Sequence, residues 1–510
     1  MSTPPLRRVD LNWPELNFQH HDLASLVEPF TEEELHKIVK HMPSDKAPGL
    51  DGFTGAFFKS CWPIIKGDFL CVVQRFYNHR TNSLALLNSA NVVLIPKKEG
   101  AESIGDYCPI SLIHGIAKLI SKLLAARLQP YMNAIVSTNQ SAFIKSRAIH
   151  DNFMYVRNIA RGFHRSNIPA LLFKLDIAKA FDTVRWDYLL DLMRRQGFPQ
   201  KWCDWLSSIW ASSSSRVIVN GVPGPPIQHG RGLRQGDPLS PMIFAIAIDP
   251  LVNVLRKATE NGRLSKLRGR HARLRISLYA DDAAVFVAPT ETDVRTLKDI
   301  LYRFGLATGM VTNVEKCTVA TIRCVGVDLE RVLAPFPAKR VAFPFKYLGL
   351  PLTIHRLRRV DFQPLIDKVA GRLSSWQGRL LSIAGRNTLV KAVLSSQPIY
   401  FLTALRASDE VFEEIDSRRR RFLWAGLERI SGGKCKLNWR RCNMPTKLGG
   451  LGILDLRKFA RALRIRWLWH YWKSDNKPWV GTEIPCDEID RQLFNASTTI
   501  TIGDGSKTHF

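Results

Sequence analysis

The chain has 510 residues, a formal net charge of +28 at pH 7 and a hydrophobic share of 45%. That share is ordinary for a globular protein and excludes wholesale disorder, and the length allows two to four domain-sized units. The positive charge indicates a polyanionic partner, because clustered Lys and Arg side chains gain affinity by displacing the counterions of phosphates.

The nine cysteines are scattered singly along the chain. No apolar run reaches the roughly 18 residues that a membrane helix needs, and the N-terminus does not resemble a signal peptide. We therefore expect free thiols without disulfide partners, no membrane association, and an intracellular protein of the nucleus or the cytoplasm.

The first predicted elements follow a polar, proline-containing leader over residues 1–30, which we expect to be poorly ordered. Thr31 and Glu34 form the pattern of a capping box, which predicts that a helix begins there. From residue 31 to about 170 the pattern favours helices mixed with short strands, including a clear helix over 116–128.

An apolar strand over 171–175 is predicted to end at Asp176, and an Ala-rich helical segment follows it. A carboxylate at the end of a strand, next to irregular backbone, is well placed to ligate an ion. The alternative is that Asp176 caps the following helix. Asp182, in that following segment, is interpreted as structural.

A loop with two glycines, Gly232 and Gly236, precedes the apolar run 242–248. Glycine lets the backbone approach a ligand closely, and Pro241 stands where a helix would begin. The loop is therefore suited to holding a base pair against the chain.

Two adjacent carboxylates lie in the most informative stretch, Tyr279-Ala280-Asp281-Asp282, between two apolar, β-prone runs. That pattern predicts a β-hairpin with the acids at its turn. Neighbouring aspartates repel one another, and Mg²⁺, a hard ion that prefers carboxylate oxygen, would neutralise them. A two-metal site of this kind stabilises the attacking and leaving oxygens of phosphoryl transfer. The alternative is a solvated acidic pair in an ordinary turn.

Helical periodicity dominates from Phe362 onward, and basic residues concentrate there. Between Asp416 and Lys473 sixteen Lys or Arg residues stand against three acids. Basic and aromatic side chains interleave over 464–473, which suits a track for nucleic acid. One alternative places the tryptophans in the core of a helix bundle, and another makes the quartet 418–421 a nuclear localisation signal.

The order of three segments resembles the palm domain of reverse transcriptases: KLDIAKAFD with Asp176, then RQGDPLSP, then YADD. Other blocks resemble the same family in the same order, and their wording is similar to plant LINE-type (non-LTR) retrotransposon polyproteins. These are DKAPGLDGF at 45–53, LIPKK at 94–98, DYCPIS at 106–111, QSAFI at 140–144 with DNF at 151–153, TG at 308–309 with Asn313 and Lys316, YLGLPL at 347–352 and KLGGLG at 447–452. The resemblance runs from about Phe30 to the C-terminus.

The resemblance implies an α+β right-hand polymerase fold, with fingers, a palm built on an antiparallel sheet and helices, an all-α thumb and a basic helical C-terminal region. The expected ranges are 31–170 for the N-terminal extension and fingers, 171–355 for the palm, 356–430 for the thumb and 431–510 for the basic region, with the reverse transcriptase domain at about 78–352 overall. The family's full polyprotein carries an upstream endonuclease and often a downstream zinc module, so we expect a fragment or decaying copy that stops before a possible zinc module.

The resemblance also implies RNA-directed DNA polymerase activity, in which two Mg²⁺ ions, or Mn²⁺ as a substitute, promote nucleotidyl transfer to a primer 3′-hydroxyl. The expected partners are an RNA template, a DNA primer or target, and dNTPs. Asp176, Asp281 and Asp282 would be the catalytic residues and metal ligands. Other roles are implied for substrate binding (Lys97, Lys98, Phe181, Gln235, Gly236, Tyr279, Lys316), for a primer grip (Tyr347, Leu348, Gly349) and for nucleic-acid binding (Arg418, Arg419, Arg420, Arg421, Arg466).

Two of these roles have purely structural alternatives. Phe181 stands where the family carries a steric gate against the ribose 2′-hydroxyl, and the alternative is plain core packing. Lys316 would protonate the departing pyrophosphate, and the alternative is an exposed lysine on a turn.

The chain departs from the family at Cys108, where an arginine is usual, and at Ser146, where a glycine is usual. A neutral thiol cannot clamp a triphosphate as a guanidinium does. The competing hypotheses are therefore a catalytically weak retroelement relic that only binds nucleic acid and, less favoured by the YLGLPL and KLGGLG blocks, a group II intron maturase.

Overall fold

The computed structural model describes residues 9–79, 84–268, 274–371, 380–426, 435–473 and 477–499. The chain divides into two compact units whose ranges differ from the expected domains. Unit 1 comprises Met1–Ala148, Pro169–Arg268 and Leu274–Arg340, and unit 2 comprises Ile149–Ile168, Gly269–Arg273 and Val341–Phe510. The segment 149–168 therefore groups with the C-terminal part rather than with the expected fingers, and the expected palm extends beyond the end of unit 1.

The strands of the described residues are, in chain order, β1 (Ser89–Pro96), β2 (Tyr107–Ile113), β3 (Ala170–Leu175), β4 (Ser214–Val219), β5 (Val222–Pro223), β6 (Ile227–Gln228), β7 (Ile276–Tyr279), β8 (Asp282–Val287), β9 (Thr318–Ile322), β10 (Lys339–Val341), β11 (Phe345–Tyr347) and β12 (Leu350–Leu352). The α-helices are α1 (Trp13–Leu16), α2 (Glu32–Lys40), α3 (Gly55–Tyr77), α4 (Leu84–Leu87), α5 (Gly115–Leu128), α6 (Met132–Ile135), α7 (Ile149–Arg165), α8 (Ala180–Thr183), α9 (Trp186–Arg195), α10 (Gln200–Ala211), α11 (Ser240–Ile248), α12 (Pro250–Glu260), α13 (Glu291–Thr308), α14 (Leu329–Leu333), α15 (Gln363–Gly371), α16 (Ile383–Leu389), α17 (Ile399–Ala404), α18 (Asp409–Ala425), α19 (Trp439–Cys442), α20 (Leu456–Lys473) and α21 (Glu488–Ser497).

One sheet of unit 1 is built on β1, which pairs antiparallel with β2 and parallel with β4. The short strands β5 and β6 both pair with β4. The register places Ile95 opposite Cys108, so the LIPKK and DYCPIS blocks lie side by side. The ends of β1 and β2 are tied by the backbone N–H of Lys97, which donates to the carbonyl oxygen of Asp106 at 2.8 Å.

The second sheet of unit 1 has the strand order β10-β9-β3-β8-β7. Strand β3 is central and antiparallel to both β8 and β9. Its side chains Leu171, Leu172, Phe173 and Leu175 are buried, as a continuous apolar run predicts for a strand that is covered on both faces. Because Asp176 follows the last residue of this strand, it emerges at the end of the sheet where β7 turns into β8.

Local signals set the ends of several helices in unit 1. Thr31 and Glu34 form the predicted capping box at the start of α2, and Pro241 lies in the first turn of α11. The helix predicted over 116–128 is α5, one residue longer at its N-terminus. The largely antiparallel sheets and the separate helices confirm the α+β class.

The expected disorder of the leader is wrong for residues 9–30. Trp13, Leu26 and Phe30 are buried in the core of unit 1. The guanidinium of Arg127 donates hydrogen bonds to the carbonyl oxygens of residues 26, 28 and 29 and lies 4.0 Å from the centre of the Phe30 ring. Burial of these large apolar side chains outweighs the entropy lost in ordering a polar segment.

Unit 2 is mainly helical where it is described, and β11 and β12 form a hairpin within it. Helix α7 belongs to this unit through buried polar contacts. Asp151 accepts a hydrogen bond from the indole N–H of Trp479 at 2.7 Å, and Asn158 donates to the hydroxyl of Thr482 at 2.7 Å. These bonds give a physical reason for the grouping of 149–168 with unit 2. In the described part of the chain, no helix is long and apolar enough to cross a membrane.

Candidate active site

Strands β7 and β8 form the predicted hairpin, and its turn carries the neighbouring aspartates. The register pairs Tyr279 with Asp282, so Ala280 and Asp281 are the two residues of the turn. Ala280 has a φ of +53°, a left-handed conformation that costs an L-residue on the order of 1 kcal/mol. Asp281 lies at the tip of the turn with part of its side chain exposed, and Asp282 is half-buried at the start of β8.

Asp176 lies beside this turn because β3 is the neighbour of β8. The register pairs Leu175 with Ala283, so Asp176 and Asp282 both lie just beyond that pair at the same end of the sheet. Partial burial raises the pKa of the Asp281 carboxyl, and the negative charges of Asp282 and Asp176 raise it further. The three aspartates are therefore within electrostatic reach of one another in unit 1.

Lys174 adds a positive charge to this cluster. It lies two residues before Asp176 on β3, and therefore on the same face of the sheet, and its Nζ is 3.4 Å from Oδ1 of Asp282. In the described residues, no three His, Cys, Asp or Glu side chains are grouped so as to hold a metal ion. Repulsion among the carboxylates and the ion pair of Asp282 both oppose such convergence. As a donor set, however, three carboxylates at one sheet end suit a hard divalent ion.

The segment 311–317 holds the backbone around Asp176. The N–H of Asn313 donates to the Asp176 carbonyl oxygen at 2.8 Å, and the N–H of Ala178 donates to the Val311 carbonyl oxygen at 2.9 Å. The N–H of Asp176 donates to Sγ of buried Cys317 at 3.4 Å. Backbone bonds on both sides of Asp176 restrict the direction in which its carboxylate emerges from the sheet.

The glycine loop before α11 is fixed to the segment that follows Asp176. Gly232 has a φ of +85°, and a Cβ at this position would lie 2.6 Å from the carbonyl oxygen of Asp182. The N–H of Gly232 donates to the Val184 carbonyl oxygen at 2.8 Å, and the N–H of Leu233 donates to that of Phe181 at 2.7 Å. Only glycine permits this approach.

The next residues of the loop meet the first sheet of unit 1. A Cβ on Gly236, whose φ is +99°, would lie 3.1 Å from the carbonyl oxygen of Ser111 on β2. Sγ of Cys108, on the same strand, is 3.9 Å from Oε1 of Gln235. The residue that replaces the family's usual arginine therefore contacts the loop that is predicted to hold the base pair.

Phe181 is half-buried, which is compatible both with a steric gate and with core packing. Its ring stacks on Phe244 with centroids 4.3 Å apart and an interplanar angle of 15°. It is also nearly perpendicular to the ring of Phe143, at a centroid distance of 6.4 Å. One face is therefore packed in the core, and the remaining exposure is compatible with a gate. Tyr279 is also half-buried, and burial raises the pKa of its phenol.

The predicted phosphate-binding lysines are bonded within the loop between β1 and β2. Nζ of Lys97 donates to the Gly105 carbonyl oxygen at 3.0 Å. Nζ of Lys98 lies 3.0 Å from the carboxylate of Asp106, and this bond lowers the pKa of that carboxyl. Lys316 is exposed, directly before buried Cys317. Lys97 and Lys98 would have to exchange their present bonds to contact a phosphate.

The family model for reverse transcriptase (RNA-dependent DNA polymerase) matches residues 95–352, about half of the chain. The matched region contains Asp176, the glycine loop and the β7–β8 hairpin. The chain belongs to the reverse transcriptase family. Its mixed sheets and helices are consistent with the fingers and palm of a polymerase, so the expected fold class is confirmed.

Several curated relatives of this reverse transcriptase are named as proteins of transposable elements. The uncharacterized 149 kDa protein of transposon TX1 from Xenopus laevis is 29% identical over 481 residues, which cover 91% of this chain and 35% of that protein. The retrovirus-related Pol polyprotein from the type-2 retrotransposable element R2DM of Drosophila melanogaster is 25% identical over 459 residues, covering 88% and 41%. The probable RNA-directed DNA polymerase from transposon BS of the same fly is 24% identical over 369 residues, covering 68% and 38%.

The chain thus spans between one third and about two fifths of the length of these relatives. With the family match, they support the predicted resemblance as far as a reverse transcriptase domain of the non-LTR retrotransposon type.

The predicted primer grip of this reverse transcriptase lies in unit 2, on the β11–β12 hairpin. Leu348 and Gly349 form its two-residue turn, with φ values of +46° and +77°. Positive φ at both central residues is typical of a tight hairpin turn. Tyr347 is buried, and the Leu348 carbonyl oxygen accepts a hydrogen bond from the hydroxyl of Tyr400.

The interpretation of Arg419 as a nucleic-acid contact is wrong. Its side chain is fully buried, with a guanidinium nitrogen 2.6 Å from the carboxylate of Asp416. The guanidinium also donates to the Leu454 carbonyl oxygen at 2.7 Å. A charge enclosed and paired in this way cannot reach a phosphate.

The other predicted basic residues differ in their ion pairs and in their exposure. Arg418 pairs with Glu414 at 3.3 Å and Arg420 pairs with Glu413 at 2.9 Å. The exposed members are Arg421 on α18 and Arg466 on α20. The first two would have to leave their acidic partners to bind nucleic acid.

Helix α20 separates core aromatics from surface aromatics. Trp467 is buried and its indole N–H donates to the Thr403 carbonyl oxygen at 2.6 Å, so the core alternative holds for this residue. Trp469 and Trp472 are 39% and 49% exposed, and Nζ of Lys473 lies 4.8 Å from the Trp469 ring centre. We name Arg466, Trp469, Trp472 and Lys473 the α20 stripe, because their spacing places them on one side of the helix.

Three residues at the site were not assigned from the sequence: Gln140, Lys174 and Cys317. Each lies inside or next to a block that resembles the family, but its contacts join segments that are distant along the chain. Lys174 directly precedes Leu175 and Asp176, so alternation along β3 was a usable signal for its placement beside the acids. For Gln140 and Cys317 the sequence offered no such signal.

Proposed function

We propose that the chain is an RNA-directed DNA polymerase that transfers nucleotides to a primer 3′-hydroxyl, as part of a non-LTR retrotransposon. The observation that carries the proposal is the strand register, which places Asp176 at the same end of the sheet as Asp281 and Asp282, in a chain whose residues 95–352 match the reverse transcriptase family. The residues of the motifs described in the sequence analysis further favour a plant LINE-type element.

The three aspartates would hold two Mg²⁺ ions, with Mn²⁺ as a substitute. Partial burial is the main cause of the raised pKa of Asp281, and the charges of Asp282 and Asp176 add to it; divalent cations would relieve that repulsion. When bound, the ions supply a lowered pKa for the attacking hydroxyl and neutralise the triphosphate. The three carboxylates would bind and orient the ions, and the backbone bonds around Asp176 restrict its motion.

Substrate binding would use the surfaces around the aspartates. Gln235 and Gly236 would lie against the template–dNTP pair, and the partly exposed Phe181 would exclude a ribose 2′-hydroxyl. Lys97 and Lys98 would bind phosphates, with Tyr279 beside the substrate and Lys316 as proton donor.

Contacts with the RNA template and the DNA primer or target would use charge and stacking. Exposed Arg421 and the α20 stripe offer cations and aromatic faces, which together suit a single-stranded track. The turn formed by Leu348 and Gly349, next to Tyr347, would guide the primer. We propose an intracellular location, in the nucleus or the cytoplasm, where such nucleic acids occur.

Primer extension on an RNA template with dNTPs and Mg²⁺ tests the proposal. We expect extension by the parent and by Asp299→Asn, a matched control at an exposed acid on α13. Asp281→Asn should lose a factor on the order of 10³ or more, because several kcal/mol of transition-state stabilisation depend on the site. Undiminished extension by Asp281→Asn would overturn the site assignment.

A second candidate is a catalytically weak relic that only binds nucleic acid, and Cys108 favours it. The thiol near Gln235 replaces a charged hydrogen bond worth about 1.5–3 kcal/mol. Cys108→Arg should then lower the dNTP concentration for half-maximal extension roughly 10- to 150-fold. A parent that binds an RNA–DNA hybrid in a gel-shift assay but extends it only after this substitution would favour the relic.

A further inference from the structure

A segment upstream of unit 1's second sheet extends that sheet beyond its edge strand β7. The N–H of Leu278 donates to the Asn139 carbonyl oxygen at 2.8 Å, and the N–H of Ser141 donates to the Leu278 carbonyl oxygen at 3.2 Å. Gln140 and Leu278 accordingly form a parallel bridge. The QSAFI block therefore lies directly against the hairpin that carries Asp281 and Asp282.

The side chain of Gln140 reaches from this segment to the turn. It is completely buried. Its Oε1 accepts hydrogen bonds from the N–H of Ala280 at 3.1 Å and from the N–H of Ala142 at 2.9 Å. Its Nε2 donates to the carbonyl oxygen of Ala280 at 3.4 Å. One amide thus bonds both backbone polar groups of Ala280 and is itself anchored through Ala142.

Ala280, the residue that Gln140 bonds, has an unfavourable backbone conformation. Ala280 is a buried, non-glycine residue at a φ of +53°, a conformation that persists only where its surroundings determine it. Its ψ and the following peptide set the direction of Asp281 and Asp282. Without the two bonds from Gln140, the backbone polar groups of Ala280 would lose buried partners and the turn would relax.

We propose that Gln140 is a positioning residue that fixes the left-handed turn at Ala280 and thereby directs Asp281 and Asp282 towards Asp176. Its consequence for catalysis rests on the proposed function. Its consequence for divalent-cation binding does not require turnover. Supporting groups of this kind, which hold metal ligands in place, typically change metal affinity or activity 10- to 100-fold when they are replaced.

Substitutions can separate two roles of Gln140, filling the core and positioning the turn at Ala280. Gln140→Met preserves approximate volume and unbranched shape but removes every side-chain hydrogen bond. The matched control is Gln196→Met, which alters another buried glutamine of unit 1. Oε1 of Gln196 has no hydrogen-bond partner in the described structure, and the Gln196 N–H bonds within the C-terminal turn of α9.

The experiment titrates Mn²⁺ into the full chain without substrate, with free ion measured by electron paramagnetic resonance. The variants are Gln140→Met, Gln196→Met and Asp281→Asn, each checked for the parent's circular dichroism spectrum. We expect Gln140→Met to weaken Mn²⁺ binding about tenfold, Asp281→Asn to weaken it at least as much, and Gln196→Met to leave it unchanged. If Gln140→Met does not fold, Gln140→Asn, whose amide is too short for the same bonds, replaces it.

Primer extension adds a readout that a purely structural role would not move. The Mg²⁺ concentration for half-maximal extension should rise about tenfold in Gln140→Met, while the KM for dNTP at saturating Mg²⁺ stays near the parent's.

Parent-like Mn²⁺ affinity in Gln140→Met, together with weakened binding in Asp281→Asn, would overturn the inference and leave the proposed function intact. If Gln140→Met binds Mn²⁺ more weakly than the parent does, but the parent extends no primer, the inference is supported while the proposed function fails. If Gln140→Met and Asp281→Asn both bind Mn²⁺ as the parent does, the inference and the site assignment are both overturned.

Discussion

Lys174 competes with a divalent cation for Asp282, so removing its charge should strengthen metal binding. Its Nζ is 3.4 Å from Oδ1 of Asp282, and the two side chains are 33% and 42% exposed. The substitution Lys174→Met keeps much of the apolar stem of the side chain but removes the ammonium group.

The size of the effect follows from the exposure of the pair. An ion pair between groups this exposed is worth at most about 1 kcal/mol, so freeing Asp282 lowers the half-saturating Mg²⁺ concentration by roughly fivefold at most from this source. The effect should shrink as salt is raised, because partly exposed charges are screened.

The assay is Mg²⁺-dependent primer extension at low and high salt, with Lys298→Met as the matched control at an exposed lysine of α13. The control should leave the Mg²⁺ dependence unchanged. A rise in the half-saturating Mg²⁺ concentration for Lys174→Met would refute the competition argument, because it would mean that the ammonium supports the site.

Three further predictions concern Gly232, Phe181 and Asp249. Gly232→Ala should lower the free energy of unfolding by about 1–3 kcal/mol in chemical denaturation, because its Cβ would lie 2.6 Å from the Asp182 carbonyl oxygen at a φ of +85°. Phe181→Ala should cost about 1–3 kcal/mol of stability through its stacking on Phe244, and primer extension with rNTPs should rise at least tenfold relative to dNTPs if the ring is a gate. Burial raises the pKa of Asp249 to about 6, so this acid favours folding below about pH 4 and loses that contribution as the pH rises through 6. The stability of the parent relative to Asp249→Asn should therefore fall by up to roughly 3 kcal/mol between pH 4 and 7.

Each of these predictions has its own contrary result. Gly262→Ala is the control for the glycine, because Gly262 also has a positive φ, +70°, but an open Cβ position, and equal losses in both variants would remove the steric argument. An unchanged sugar preference with reduced stability in Phe181→Ala would leave only core packing. A stability difference between parent and Asp249→Asn that does not vary with pH would contradict the raised pKa.

Much of the site was predictable because its signals are local. Two apolar, β-prone runs on either side of the acidic pair predicted the hairpin, the end of an apolar run located Asp176, and Pro241 marked the start of α11. These features depend on strand period, helix capping and turn geometry, which a short stretch of sequence determines.

The contacts that sequence reasoning missed depend on tertiary structure. Nothing local distinguishes Gln140 from any other polar residue, because its bonds reach a turn 140 positions away. Arg419 differs from the neighbouring Arg421 only through its burial on α18. The leader was likewise misjudged, because its sparse apolar residues acquire their stabilising effect from the core that they enter.

The most direct test is a crystal structure of the chain with an RNA template, a DNA primer, a nonreactive dNTP analogue and Mn²⁺, with the ions located by anomalous scattering. The account predicts two peaks roughly 3.5–4 Å apart, contacted by the carboxylates of Asp176, Asp281 and Asp282. Ions bound elsewhere, or an Asp176 carboxylate turned away from both, would contradict it.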